Sequence, residues 1–138
     1  MTQPNWNEMV TKKAVAATTN LLWVRVSDYI RGPRKIMIKA EGTWNYDSHA
    51  ACGPDGNPGE GFSDANLHDS ALRGCLIAKV GGSAGETPGK GKIQAVGSFC
   101  SFEIGADAAG ALYLAMNDAP KNFYKHSGTL TVTISEAS

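Results

Sequence analysis

The chain has 138 residues, enough for one domain with a substantial core and no second one. Its thirteen basic and thirteen acidic residues cancel and are scattered, so it lacks the charge footprint of a nucleic-acid or anionic-membrane binder. No apolar run approaches the roughly 20 residues of a membrane helix, which excludes membrane insertion by that route.

The N-terminus, MTQPNWNEMVTKK, lacks the apolar centre of a signal peptide. A cytoplasmic start is expected, with release to the exterior by another route left open. Residues 1 to 20 read as an N-terminal arm, either flexible or an edge strand, of a single domain covering residues 1 to 138. Helical periodicity is scarce beyond it, while short β-branched and aromatic runs bounded by Gly, Pro, Asn and Asp recur. Residues 21 to 30 (LLWVRVSDYI) alternate, the turn at Gly32-Pro33 follows, and 35 to 40 (KIMIKA) alternate again, so the two read as strands joined by a turn. A Gly- and Pro-rich loop of about residues 47 to 68 comes next, a length that marks either function or disorder.

Four later strand candidates are 75 to 80 (CLIAKV), 92 to 104 (KIQAVGSFCSFEI, broken near Gly97), 111 to 116 (ALYLAM) and 129 to 134 (TLTVTI). The stretch Gly81 to Lys92 reads as a mobile hairpin end, and its glycines do not have the spacing of a phosphate cradle. Seven or eight short strands with Gly/Pro turns predict an all-β, two-sheet antiparallel β-sandwich that a jelly roll would close. Ile36, Ile38, Leu76, Val96, Leu112, Leu114, Leu130, Val132 and Ile134 are its predicted core. Cys52, Cys75 and Cys100 are spaced neither as a zinc pair nor as a full disulfide framework and read as reduced thiols, with one disulfide among the three left open.

The order of KIMIKAEGTW, CGPDG, ALRGCLIAKVG, VGSFCSFEIG, GALYLAMND and HSGTLTVTI, from about Lys35 to Ile134, resembles the small bacterial galactose-binding lectins of the LecA (PA-I) type and related lectin-like domains. The resemblance implies a galactose-binding-domain-like jelly-roll sandwich without enzymatic activity, and a calcium ion that joins protein oxygens to two vicinal sugar hydroxyls. The site loop would be Asn117 to Gly128, NDAPKNFYKHSG. Mapped residue by residue, the calcium ligands would be Asp118, a carbonyl of Asn122, and a carbonyl of Tyr46 or Asp47. The two remaining side-chain oxygen positions fall on Lys125 and His126. Calcium takes 6 to 8 hard oxygen ligands, so an ammonium and an imidazole cannot fill them. Lys125 is then either a stand-in for the ion, paired with Asp118, or a solvated lysine. His126 reads as a loop histidine bonded to backbone, and a metal role for it would need His49 and His68 nearby.

The His and Gln that touch sugar in the resembled lectins have no counterpart in NPGEGFSDAN, which offers Glu60, Ser63, Asp64 and Asn66 instead. Hydroxyl and ring contacts would come from Asp118, Asn122, Phe123, Tyr124, Lys125, His126 and Asp64. Trp44, at a strand end, reads as core. No GxSxG or HExxH occurs, and no spacing pairs Asp28, Asp47, Asp64, Asp69 or Glu103 as a catalytic couple. The expected function is non-catalytic carbohydrate binding, galactoside-like by resemblance, with calcium dependence weakened or lost and no other cofactor. A homo-oligomer would add avidity. The alternative is an assembly subunit of the same fold that no longer binds sugar.

Overall fold

The computed structural model describes residues 6–15, 21–48, 50–89 and 92–137, with side chains described for all of them except 6–15, Asp28 and Ala137. Nine strands follow in chain order: β1 Trp6–Val15, β2 Val24–Arg31, β3 Arg34–Asp47, β4 Ala50–Cys52, β5 Leu76–Val80, β6 Gln94–Ala95, β7 Phe99–Ile104, β8 Ala109–Met116 and β9 Ser127–Ala137. Among the described residues the 3-10 turns Pro58–Glu60 and Pro120–Lys125 join these strands. One sheet runs β1-β9-β3-β4 with β7 also on β3, and the other runs β2-β8-β5-β6. Every pairing is antiparallel. The fold is the two-sheet sandwich that the alternating pattern predicts.

The arm contributes an edge strand, since β1 pairs with β9 from Trp6↔Ala137 to Val15↔Thr129. β3 is the spine of its sheet. Its first half pairs with β7 and its end with β4, while its opposite side pairs with β9 from Ile36 to Asn45. The Gly32-Pro33 segment carries the chain from one sheet to the other, because β2 pairs with β8 and β3 with β9. Consecutive strands that alternate alike can therefore lie in different layers; what they share is one core.

That core holds all nine predicted residues, each at most 5% exposed, with Val26, Ile30, Trp44, Tyr46 and Met116 added. A second apolar cluster covers the outer face of the other sheet: Ile77 and Ala115 point into it, and Leu22, Trp23, Leu67, Ala71 and Phe123 lie over them. β5 is thus buried on both faces, which explains why CLIAKV is continuously apolar rather than alternating. Lys79 is the exception in that run. Its ammonium is sheltered between the rings of Trp23 and Tyr113, 5.0 and 5.1 Å from their centroids, and donates to the Ser83 carbonyl and to Glu86 at 3.1 Å.

The stretch Gly81 to Lys92, expected to be a mobile hairpin end, does connect the antiparallel β5 and β6; up to Glu86 it is held against the sheet face by these contacts, and Lys90 and Gly91 lie outside the described residues. The indole N–H of Trp23 also donates to the Glu86 carbonyl at 2.9 Å, and its backbone N–H to Ala84 at 2.9 Å. The loop after β5 is tied to the sheet face at four points. All three cysteines are free thiols, Cys75 buried and the other two half-buried, and burial pushes the Cys75 thiol up to about 11.

Candidate functional site at the end of β8

The chain leaves β8 at Asn117, which is fully buried and serves as a clamp. Its side-chain oxygen accepts from the His68 N–H at 2.8 Å, and its amide donates to the carbonyls of His68, Ala71 and Leu72 at 2.8, 2.9 and 3.2 Å. Those backbone groups belong to a long loop with no ladder to satisfy them, so one side chain does what a strand partner would do. The Asn117 carbonyl accepts from Gly74 as well. Gly74 sits at φ +89, and a Cβ there would collide with the Cys52 sulfur, so glycine is required where the loop returns beneath Trp44. The Trp44 indole donates to the Gly74 carbonyl at 2.9 Å from a core position, as its place at a strand end suggested.

Asp118 follows, 1% exposed, with both carboxylate oxygens engaged. One accepts from the Ala119 N–H at 2.8 Å, from Nε of Arg73 at 3.0 Å and from the Asn122 amide at 3.3 Å. The other lies 2.9 Å from Nε2 of His126. Burial alone pushes this carboxyl up, but the bonds from His126, Ala119 and Asn122 and the Arg73 charge outweigh it and hold the group below its ordinary value. An ionised Asp118 accepts, so Nε2 of His126 carries its proton. Nδ1 of His126 is buried without a partner, and the ring leans on Phe123 with centroids 4.3 Å apart.

Arg73 reaches the site from the far end of the long loop. Its Nη1 lies 3.3 Å from Glu60, and its guanidinium stands 4.4 Å over the ring of Tyr46. The Tyr46 hydroxyl in turn accepts from Asn57 at 2.6 Å. Arg73 of the long loop and Asn122 of the Pro120–Lys125 turn therefore meet on one carboxylate, and Tyr46 at the end of β3 backs the guanidinium.

The predicted site residues divide into two sets. Asp118, His126 and the amide of Asn122 come together, but inside: the His126 side chain is 0% exposed. Phe123 is fully buried in the outer cluster and is packing, not a sugar platform. Tyr124 is 67% exposed, Lys125 and Asp64 are exposed too, and Lys125 Nζ lies 5.6 Å from the Tyr124 centroid. The cation on Asp118 is therefore Arg73, not Lys125, and His126 bonds a carboxylate rather than backbone through its ring. Of the two readings of Lys125 the solvated one holds, and the stand-in reading gives way because Arg73, 45 residues from Asp118, is brought there by the folded loop. The clamp role of Asn117 was likewise not legible, although the Asn-Asp pair itself marked the place. His49 lies outside the described residues, and Tyr46 is 2% exposed, packed beneath Arg73.

The donor set does not fit calcium. An ion needs oxygens at about 2.3 to 2.6 Å, whereas both Asp118 oxygens face N–H donors at 2.8 to 3.3 Å and the positions before Ser127 hold an ammonium and an imidazole. Among the described residues no group of three or more His, Cys, Asp or Glu side chains is arranged to hold a metal ion. A groove of about 660 Å³ lies elsewhere, between β5, β6 and the β7–β8 turn, and contains none of the predicted residues.

No family model matches the chain, and no curated protein matches it. The fold is nonetheless of the lectin-like β-sandwich class. Among solved structures the chain is similar to the N-terminal domain of EclA, described as a PllA-like lectin, with a TM-score of 0.66 at 20% sequence identity over 94% of this chain and 98% of that one. At that identity the likeness is one of architecture. No helix among the described residues is long and apolar enough to cross a membrane.

Proposed function

We propose that the chain is a non-catalytic carbohydrate-binding domain whose sugar site is the Asn117–Gly128 end of the sandwich, working without calcium. The observation that carries this reading is the rigid frame around Asp118, which holds the Pro120–Lys125 turn so that the Tyr124 ring stands 67% exposed at its surface. An aromatic face with an ammonium beside it suits a sugar, whose C–H face stacks while its hydroxyls hydrogen-bond. Tyr124 supplies the ring, and Asn122, Lys125 and Asp64 the polar contacts. Asp118 and His126 act behind them as positioning residues. The likeness to a lectin domain supports the same reading, and a donor set in which both Asp118 oxygens already accept from N–H groups supports the loss of calcium dependence.

A galactoside is the first ligand to try, and association of copies would raise the avidity of a shallow single site. The test is a glycan array run with calcium and with a chelator. Equal binding in both, weakened about two- to tenfold by Tyr124→Ala, is expected, since stacked aromatic contacts are worth about 0.5 to 1.5 kcal/mol beyond their area. No glycan bound in either buffer would end the sugar reading in favour of an assembly subunit.

A further inference from the structure

We infer that Arg73 is the resident cation of this site: its guanidinium replaces a divalent ion and is the group that keeps metal out. This rests on the reading that the site is metal-free, and it assigns the cause. The guanidinium joins two carboxylates from different segments, Asp118 at 3.0 Å and Glu60 at 3.3 Å, as a bridging ion would. It is held in place from below by the Tyr46 ring at 4.4 Å and has only 21% of its side chain exposed. A planar cation with fixed donors closes such a bridge without any hydration shell to strip.

The geometry makes the exclusion direct. A calcium ion within 2.3 to 2.6 Å of either Asp118 oxygen would have to displace Nε of Arg73 at 3.0 Å or Nε2 of His126 at 2.9 Å. Displacing His126 breaks its bond to Asp118. Displacing Arg73 sets two cations a few ångströms apart in a buried place, where their repulsion is far larger than in water. Lys125→Asn with His126→Asn, the changes that the sequence alone suggests for restoring oxygen ligands, leave that repulsion intact.

The experiment uses calcium alone, with no sugar, so that its outcome is independent of whether a glycan is ever found. Thermal unfolding and titration calorimetry would be run on the native chain, on the Lys125→Asn, His126→Asn pair, and on the triple variant adding Arg73→Gln. The native chain and the pair should show no stabilisation by millimolar calcium. The triple variant should bind about tenfold or more tightly than millimolar and gain a calcium-dependent rise in melting temperature. A response from the native chain or the pair, or none from a folded triple variant, overturns the assignment. Hydrogen exchange on the single variant Arg73→Gln covers a triple variant that does not fold. Protection should fall at residues 60 to 73 and 117 to 126 while β3, β8 and β9 keep theirs; unchanged protection in both segments overturns it too.

Discussion

Asp118 shows how much a residue's role depends on what surrounds it. As an exposed loop carboxylate it would be a ligand contact, and its loss would leave stability alone. At 1% exposure, with Arg73 and His126 on its two oxygens, it is structural. Asp118→Ala would leave the guanidinium without its buried partner, and the expected cost in urea unfolding is about 3 to 5 kcal/mol. A loss under about 1 kcal/mol would show that the network is solvated. Acid should act on the same group. Its carboxyl lies below the ordinary value when folded, so its contribution is complete above the usual carboxylate pKa of about 4 and disappears as pH falls through the lower folded value. The stability gap between the native chain and Asp118→Asn should therefore be constant near neutrality and close in strong acid. A gap unchanged down to the lowest accessible pH would contradict the depressed carboxyl.

Elements here are held by side chains wherever the ladders stop. The loop after β5 has few backbone partners, yet Lys79, Glu86 and Trp23 bind it to the sheet face. Lys79→Met keeps the apolar stem against Trp23 and Tyr113 but removes the donors, and Glu86, with 44% of its side chain exposed, is left in water rather than buried. Global stability should fall by less than about 1.5 kcal/mol, while limited proteolysis within residues 81 to 89 should speed up several-fold. An unchanged cleavage rate would mean that the backbone bonds suffice. Asn117 performs the same service at the other loop. Asn117→Ala strands the Ala71 carbonyl and the His68 N–H, each costing about 1 to 3 kcal/mol if it finds no water, while the His68 and Leu72 carbonyls keep backbone N–H partners. Exchange at residues 67 to 73 should rise with it, and equal protection there would refute the clamp.

At the scale of the molecule the two sheets share one core, so damage to either should unfold both. Leu114 on β8 and Val132 on β9 face each other's layer and are at most 1% exposed. Leu114→Ala should cost about 2 to 5 kcal/mol and lower the midpoint of a single cooperative transition. Two separate transitions would indicate that the sheets fold independently. The second cluster, over the outer face of the β5–β8 sheet, is what sets the position of the functional end. Phe123 and Leu67 are anchored there, so the turn bearing Tyr124 and the loop bearing Arg73 rest on the same surface.

The alternation of Ile36 and Ile38, or of Leu130, Val132 and Ile134, determined the sandwich, because a strand with one apolar face must bury it against another such face. The same local pattern located the site loop, with Asn117 and Asp118 leaving one strand and Gly128 opening the next. Gly128, at φ +95 with Trp44 Cα only 2.8 Å from where a Cβ would lie, fits nothing larger. What the sequence did not contain was the partner of each charge. Lys125 is seven residues from Asp118 and Arg73 is 45, so proximity along the chain favoured the lysine. The return of the loop under Trp44, fixed by Gly74 and by the carbonyls that Asn117 binds, put the arginine there instead. Strand faces follow from a period of two residues and can be read locally. The contents of a buried ionic site depend on loop closure over tens of residues, which only the packed fold decides.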